Sequence, residues 1–256
     1  MNVRGLHSGD LKRRKLFNWI YQRKVDIIFF QESHSTESDE NKWRTEFDGE
    51  IIFNHGSSDS RGVCILIRKY MSYEIHDIKR DNHGRYIIAD ITINNKRMTL
   101  GNLYGPNKDD ALFFNEFIHH TETYTNDNRV IGGDFNCILN PVLDKKGGRP
   151  GHPHIRSRNV ILDYMDETEL VDIWRLQHHD HLNYTYHTHD INPVFTRLDY
   201  FLVSHGLVDT CEYTDIIPGY QSDHSFITMK IIFPDNGRGR GFLYIASRCR
   251  IHRNHK

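Results

Sequence analysis

An α/β fold on mixed sheets is what this 256-residue sequence predicts, and three observations carry the prediction. Short apolar runs rich in β-formers end abruptly in acidic or amide residues, amphipathic stretches of helical period separate some of them, and tight turns too short for a helix join others. Such a mixture does not fit a simple βαβ repeat. With 38% hydrophobic and 26% charged residues the chain can fill one large core, and the composition argues against disorder or a fibre.

From Asp10, the segment DLKRRKLFNWIYQRK sets Leu16, Phe17, Ile20 and Tyr21 on one face, which predicts a helix with Asp10 as its cap. VDIIFF then reads as a buried strand that breaks off at Gln31-Glu32-Ser33, with Glu32 at its C-terminal end. GVCILIR (62–68), RYIIADITI (85–93) and RMTLGNLYG (97–105) are strands, the last two joined by a hairpin at Asn94-Asn95-Lys96. A helix over 109–121 precedes RVIGGDFN, a buried strand running into a glycine-flanked acidic loop, and NVILDYMDETEL is a further helix. Strands at 183–187 and 197–203 and a last strand FITMKIIF complete the series. No internal repeat or long linker interrupts it, so residues 1–233 are expected to form one domain of about 230 residues. The tail 234–256, punctuated by Pro and Gly, is expected outside the core.

Lys and Arg number 33 against 34 Asp and Glu, a formal charge of −1, so the molecule as a whole has no net attraction for polyanions. The balance is uneven: residues 237–256 carry six basic residues and no acid, leaving a body of 27 basic against 34 acidic residues. Cysteines at 64, 137, 211 and 249 lack the close spacing of zinc sites or redox dithiols, which fits a reducing compartment. Neither a secretory leader nor an apolar run long enough to span a bilayer is present, so an intracellular protein, nuclear or cytoplasmic, with no membrane partner is expected.

The chemistry is concentrated at three strand ends: Phe30-Gln31-Glu32-Ser33, Gly132-Gly133-Asp134-Phe135-Asn136 and Gln221-Ser222-Asp223-His224-Ser225. Any one carboxylate there is an ordinary turn or cap residue. Together, if the strands share one sheet system, Glu32, Asp134 and Asp223 meet in a cleft, and a hard divalent cation such as Mg²⁺ would relieve their repulsion. Asp134 and Asn136 lie two apart and project the same way if the segment stays extended, so a base and an orienting amide could share one water. His224 beside Asp223 suits a cation facing a phosphoryl oxygen, and Asp199 in Thr196-Arg197-Leu198-Asp199-Tyr200 could orient it. Arg61, beside Gly62 at a loop edge, and Arg4 are placed as phosphate contacts. The basic run Lys12-Arg13-Arg14-Lys15 reads equally as a solvated helix face or an approach to a nucleic-acid backbone. The cluster His178, His179, His181, His187 and His189 is read as a polar surface connection and not assigned a metal.

These residues carry a resemblance. NVRGL at 2–6, QES at 31–33, NLYGP at 102–106, GGDFN at 132–136, TRLDYFLVS at 196–204 and SDHS at 222–225 occur in the order found in the endonuclease/exonuclease/phosphatase superfamily. Within it the chain resembles the apurinic-like endonuclease domain of non-LTR, LINE-type retrotransposons, over nearly everything from Asn2 to Phe233. The resemblance implies a DNase I-like, four-layer α/β sandwich of two packed mixed β-sheets flanked by helices, with the site at one end. It implies that Glu32 binds the metal with Asn2 and Asp223, that Asp134 activates the attacking water and Asn136 orients it, and that His224, paired with Asp199, stabilises the phosphorus centre. Tyr104 would contact the phosphate and Thr185 would lie near the DNA.

The expected activity is therefore Mg²⁺-dependent hydrolysis of DNA phosphodiesters, with Mn²⁺ able to replace Mg²⁺, by a monomer that needs no small-molecule cofactor and serves as the target-nicking domain of a retrotransposon-derived protein. Only Met1 precedes Asn2 where family domains begin with a complete strand, so a truncated first strand, impaired activity and a detached element remnant are expected as well. Two rival functions stay open: an inactive remnant of the fold that binds nucleic acid, and a phosphatase or phosphodiesterase of the same superfamily acting on lipid phosphates.

Overall fold

Helix α1, Asp10–Arg23, turns Leu16, Phe17, Trp19 and Ile20 inward, the stripe its apolar spacing requires. It is seen in a computed structural model that describes residues 3, 5–7, 9–148, 154–217, 224–233 and 241–246. Gly9, not Asp10, takes the cap position, without a side-chain bond. The Asp10 carboxylate instead meets Arg13 Nη2 at 3.0 Å and Lys42 Nζ at 2.5 Å. The basic run is not one solvated face either. Arg13 is fully buried on Glu46 at 2.6 Å, and Lys12 Nζ donates to Val3 O at 2.6 Å.

The strands in chain order are β1 Ile27–Gln31, β2 Gly49–Asn54, β3 Val63–Arg68, β4 Tyr73–Arg80, β5 Tyr86–Ile93, β6 Lys96–Tyr104, β7 Arg129–Asp134, β8 Lys145–Lys146, β9 Leu170–Asp172, β10 Tyr186–His187, β11 Phe195–Thr196, β12 Asp199–Ser204, β13 Cys211–Ile217, β14 Phe226–Phe233 and β15 Gly241–Ala246. Helices α2 Glu40–Glu46, α3 Ala111–Glu122, α4 Ile155–Glu167 and α5 Ile173–Gln177 join α1. Periodicity did not anticipate α2, which has only seven residues, or β4, an edge strand whose charged residues hide its alternation.

Two six-stranded mixed sheets result, in the orders β13-β14-β15-β1-β3-β2 and β4-β5-β6-β7-β12-β9, with a small sheet β10-β11-β8 beside them. The first contains Ile27, Phe29, Ile65 and Ile227, the second Ile87, Leu100, Val130 and Phe201, and these pack into one core between the sheets. Outside the first sheet, α1 and α2 cover Ile28, Phe30, Leu66 and Phe226; outside the second, α3 and α4 cover Ile88, Leu103, Ile131 and Leu202. The four-layer sandwich is thus observed. Asn94 and Asn95, at φ 48° and 65°, make the β5–β6 turn, since both positions of such a hairpin need the left-handed region.

The tail requires a correction. Residues 241–246, expected outside the core, form β15 in the middle of a sheet, with Leu243, Ile245 and Ala246 fully buried. Alternating apolar side chains gain more from that slot than from solvent. The rest of the tail, apart from these six residues, lies outside the described residues.

Asn102 is a polar clamp between the two sheets. Fully buried in β6, it donates to Phe30 O at 3.0 Å and Cys64 O at 2.9 Å across the interface, and its Oδ1 accepts from Gln31 Nε2 at 2.5 Å. Asn102→Ala leaves two carbonyls and the Gln31 amide without this partner, so it is expected to cost about 2–4 kcal/mol. The urea midpoint of the variant measures this; an unchanged midpoint would show that the clamp contributes nothing.

Candidate active site

Strand register builds the site. Tyr104 at the end of β6 pairs with Asp134 at the end of parallel β7, and Asp134 pairs with Asp199 at the start of antiparallel β12. Directly paired residues point to one face, so Tyr104, Asp134 and Asp199 stand in a row. The row is close-set because of glycine: a Cβ on Gly133, at φ +145°, would lie 2.0 Å from Leu103 O.

From the other sheet come Glu32 and His224. Glu32, half-buried just past β1, holds φ 52°, and its Oε1 accepts the Tyr104 hydroxyl. Burial and the neighbouring Glu32 charge hold that hydroxyl well above the usual tyrosine range, so it remains a proton donor at any physiological pH. His224 precedes β14 and presents Nδ1 to Asp199 Oδ2 at 3.1 Å and Asp134 Oδ2 at 3.8 Å. Asp134 and Asp199 are fully buried and His224 nearly so, and one ligand atom from each of the three lies within 4.8 Å of the others. Two buried carboxylates so close demand positive charge, from the imidazole or from a metal ion. Glu32 and His224, 192 positions apart by number, therefore reach the same end of the molecule through Tyr104 and Asp134.

The remaining candidate residues divide. Asn136 does not continue an extended segment: at φ 49° it turns back, so its own N–H donates to Asp134 Oδ1 at 3.0 Å. Its amide nitrogen donates to Gly105 O at 2.8 Å and Asn107 Oδ1 at 3.0 Å, which holds the side chain at the rim of a cavity of about 220 Å³ lined also by Ile138, His154 and Arg158. Thr185 is fully buried. Its hydroxyl accepts from the Leu198 and Asp199 N–H groups at 2.8 and 3.1 Å, and its carbonyl from Ser225 N, so it fixes Asp199 and His224 from beneath. Arg61, at φ 62°, donates to His83 O at 3.4 Å. Asn2, Arg4 and Asp223 lie outside the described residues.

Three positions that sequence reasoning did not single out complete the surroundings. Arg85 lies 5.4 Å over the Tyr104 ring and donates to Tyr104 O at 3.2 Å; burial and nearby Arg61 pull its guanidinium below its usual range. Arg197, buried beneath Asp199, binds Asp144 through two bonds of 2.8 and 3.0 Å and Asp172 at 2.6 Å. Asn102 joins the sheets just before Tyr104. No periodic or acidic signal marks them, although Asn102 and Arg197 fall inside quoted motifs. The histidine-rich segment is built differently: His178 packs 4.8 Å from the Trp174 ring and meets Thr214 O at 3.1 Å, contacts of a structural kind.

Comparison with known proteins agrees with this architecture. A transposon TX1 uncharacterized 149 kDa protein of Xenopus laevis is 26% identical over 235 residues, which is 90% of this chain but 18% of that protein; the chain thus spans less than a fifth of that relative's length. The AP endonuclease LMAP of Leishmania major superposes with a TM-score of 0.72 at 20% identity, covering 88% of this chain and 84% of that one. The endonuclease domain of TRAS1, a telomere-specific non-LTR retrotransposon, superposes with a TM-score of 0.65 at 15% identity, covering 89% and 95%. No helix among the described residues is long and apolar enough to cross a membrane. Residues 1–224, which contain both sheets up to His224, match the Endonuclease/Exonuclease/phosphatase family from end to end, and the chain belongs to it.

Proposed function

We propose that this chain is a divalent-metal-dependent endonuclease that hydrolyses DNA phosphodiesters, and that it serves as the nicking domain of a retrotransposon-derived protein. The observation that supports this best is the convergence of Glu32, Tyr104, Asp134, Asp199 and His224 at one end of the sandwich. The transposon and retrotransposon proteins among its relatives favour DNA over lipid phosphates.

Asp134 takes the proton of the attacking water, held in place by the Asn136 N–H on its Oδ1. Asp199 on Nδ1 orients the His224 ring, which places Nε2 on the side away from it, where a protonated imidazole stabilises charge growing on the phosphoryl oxygens. Tyr104 remains protonated and sets the Glu32 carboxylate. Glu32 offers the hard oxygen that Mg²⁺ or Mn²⁺ takes, and Asn2 and Asp223 are its proposed partners outside the described residues. When bound, the ion supplies neutralisation of phosphate charge.

A second seat for the ion is favoured by one observation, the spacing of Asp134, Asp199 and His224. Mg²⁺ titration calorimetry separates the two. Loss of binding in Glu32→Ala with retention in Asp199→Asn supports the Glu32 seat, and the reverse pattern moves the ion to the triad. Plasmid nicking should need added Mg²⁺ and stop with chelator; a protein that binds the plasmid and never nicks it is a remnant and not a nuclease.

Arg85 over Tyr104, and Arg61 near enough to Arg85 to repel it, place two positive charges on this side of a body of net negative charge. Each contacts a backbone phosphate in this reading, so Arg85→Ala is expected to lower the slope of log affinity against log salt by roughly one. A slope equal to that of the parent protein removes Arg85 from the interface.

A further inference from the structure

Between the strand that leads to Glu32 and the strand that follows His224 there is one intervening strand, and it comes from the tail. β14 and β1 are neighbours of β15, not of each other. β15 pairs antiparallel with β14 over six positions, from Thr228 opposite Ala246 to Phe233 opposite Gly241. It pairs parallel with β1, Ile27 opposite Ile245 and Ile28 opposite Ala246. Because strands within a sheet stand about 4.8 Å apart, the width of β15 sets how far the two halves of the site are separated.

Just before β1 the pairing is extended by a clasp on Asp26. Asp26 N donates to Tyr244 O at 2.9 Å, and Asp26 Oδ2 accepts from Tyr244 N at 2.6 Å. The other carboxylate oxygen accepts the Tyr70 hydroxyl at 2.5 Å. Beyond Ala246, the next stretch of the same edge of β1 is taken by the chain's first residues: Val3 N donates to Gln31 O at 2.7 Å, Gly5 N to Glu32 O at 2.8 Å and Leu6 N to Ser33 O at 2.9 Å. Both segments advance in the same sense as β1, so one strand position is shared end to end by two pieces from opposite parts of the sequence.

We infer that Gly241–Ala246 is a positioning strand of the active site, which holds β14 and β1 in register and so brings His224 to the end of the sandwich where Glu32 stands. The inference rests on the nuclease reading only for what the site does; how the strand holds it is independent of that reading. An apolar tail that merely docked on the surface would not place Leu243 and Ile245 in the core between the sheets with no exposure at all.

Hydrogen exchange on the full chain tests the placement. Amides of 241–246 are expected to exchange as slowly as those of 226–233, about 10³-fold or more below unstructured chain. Fast exchange in 241–246 with 226–233 still protected overturns the proposal whether or not the protein cuts DNA. The positioning role is read in Tyr244→Pro, which deletes the N–H that Asp26 accepts, and in the milder Asp26→Asn. In whichever variant stays folded by circular dichroism, the ring resonance of His224, assigned by its loss in His224→Gln, is expected to move although the change lies across the sheet, and nicking is expected to fall about tenfold or more. An unmoved His224 resonance and parental turnover in a folded variant with a lowered melting temperature would reduce β15 to a stabilising strand.

Discussion

Replacing Asp134 by alanine is expected to lower Mg²⁺-dependent nicking by about 10²–10⁴-fold, the range that removal of a general base commands. Three features make this the most sensitive position. It is the central member of the row Tyr104–Asp134–Asp199, it accepts the Asn136 N–H, and it faces His224 Nδ1 at 3.8 Å. Removing it therefore deletes the proposed base, frees the turn that holds Asn136, and takes from His224 one of the two carboxylates that face its Nδ1 among the described residues. Asp134→Asn separates these effects, because it keeps the size and one acceptor while losing basicity. Both variants are expected to lose turnover, with DNA affinity retained or improved, since a buried negative charge that repels phosphate has gone. Initial rates on supercoiled plasmid at saturating Mg²⁺, with binding measured separately, decide the matter. A folded Asp134→Ala protein that nicks at the parental rate would refute the assignment of roles.

The second large effect is on stability. Arg197→Met is expected to destabilise the fold by about 3 kcal/mol, because it takes from two carboxylates, Asp144 and Asp172, the cation they share, and leaves Asp144, which has no exposure, with Arg175 at 2.7 Å. Burial works against the Arg197 charge, but Asp172, Tyr200 and Asp144 outweigh it and keep the guanidinium firmly protonated. Its plane also lies 4.4 Å over the Tyr200 ring and 5.2 Å over Trp174, so lysine, without the planar fork, is expected to rescue little. The effects of Arg197→Met and Asp144→Leu should not add in the double variant, since the two side chains share two hydrogen bonds; Arg175, the other partner of Asp144, limits the recovery. Urea unfolding of the parent, Arg197→Met, Asp144→Leu and the double variant measures the cycle, and equal midpoints for the parent and Arg197→Met would show that the network is neutral. Since Leu198 and Asp199 follow Arg197 directly, the same loss should loosen the carboxylate that orients His224.

Much of this arrangement was legible in the residues themselves. A strand of β-formers that stops at an acid announces both the element and the position of the acid, and so Glu32 and Asp134 could be placed at strand ends from local pattern alone. Asn94-Asn95 announced its turn for an equally local reason, the tolerance of asparagine for positive φ. Motif order supplied the four layers. Local pattern failed where a side chain's role depends on what arrives from elsewhere. Asn136 looked like an extended partner of Asp134, but the chain turns at that point and its backbone N–H, not its side chain, meets the Asp134 carboxylate. Thr185, placed near the DNA by motif position alone, is seen in the structure as a buried support for Asp199. Arg85 carries no signal until Tyr104 is laid beneath it.

What the sequence by itself determined, then, is the longer helices and the apolar strands, their buried faces and the acids at two of their ends, because these follow from periods of two and 3.6 residues and from the conformational limits of single amino acids. Only the tertiary structure decided the register that aligns Tyr104, Asp134 and Asp199, the clamp of Asn102 across the sheets, and the entry of Gly241–Ala246 between β14 and β1. Those depend on pairings between segments far apart in the chain, and the free energy of a strand in a slot belongs to both neighbours and not to the strand alone.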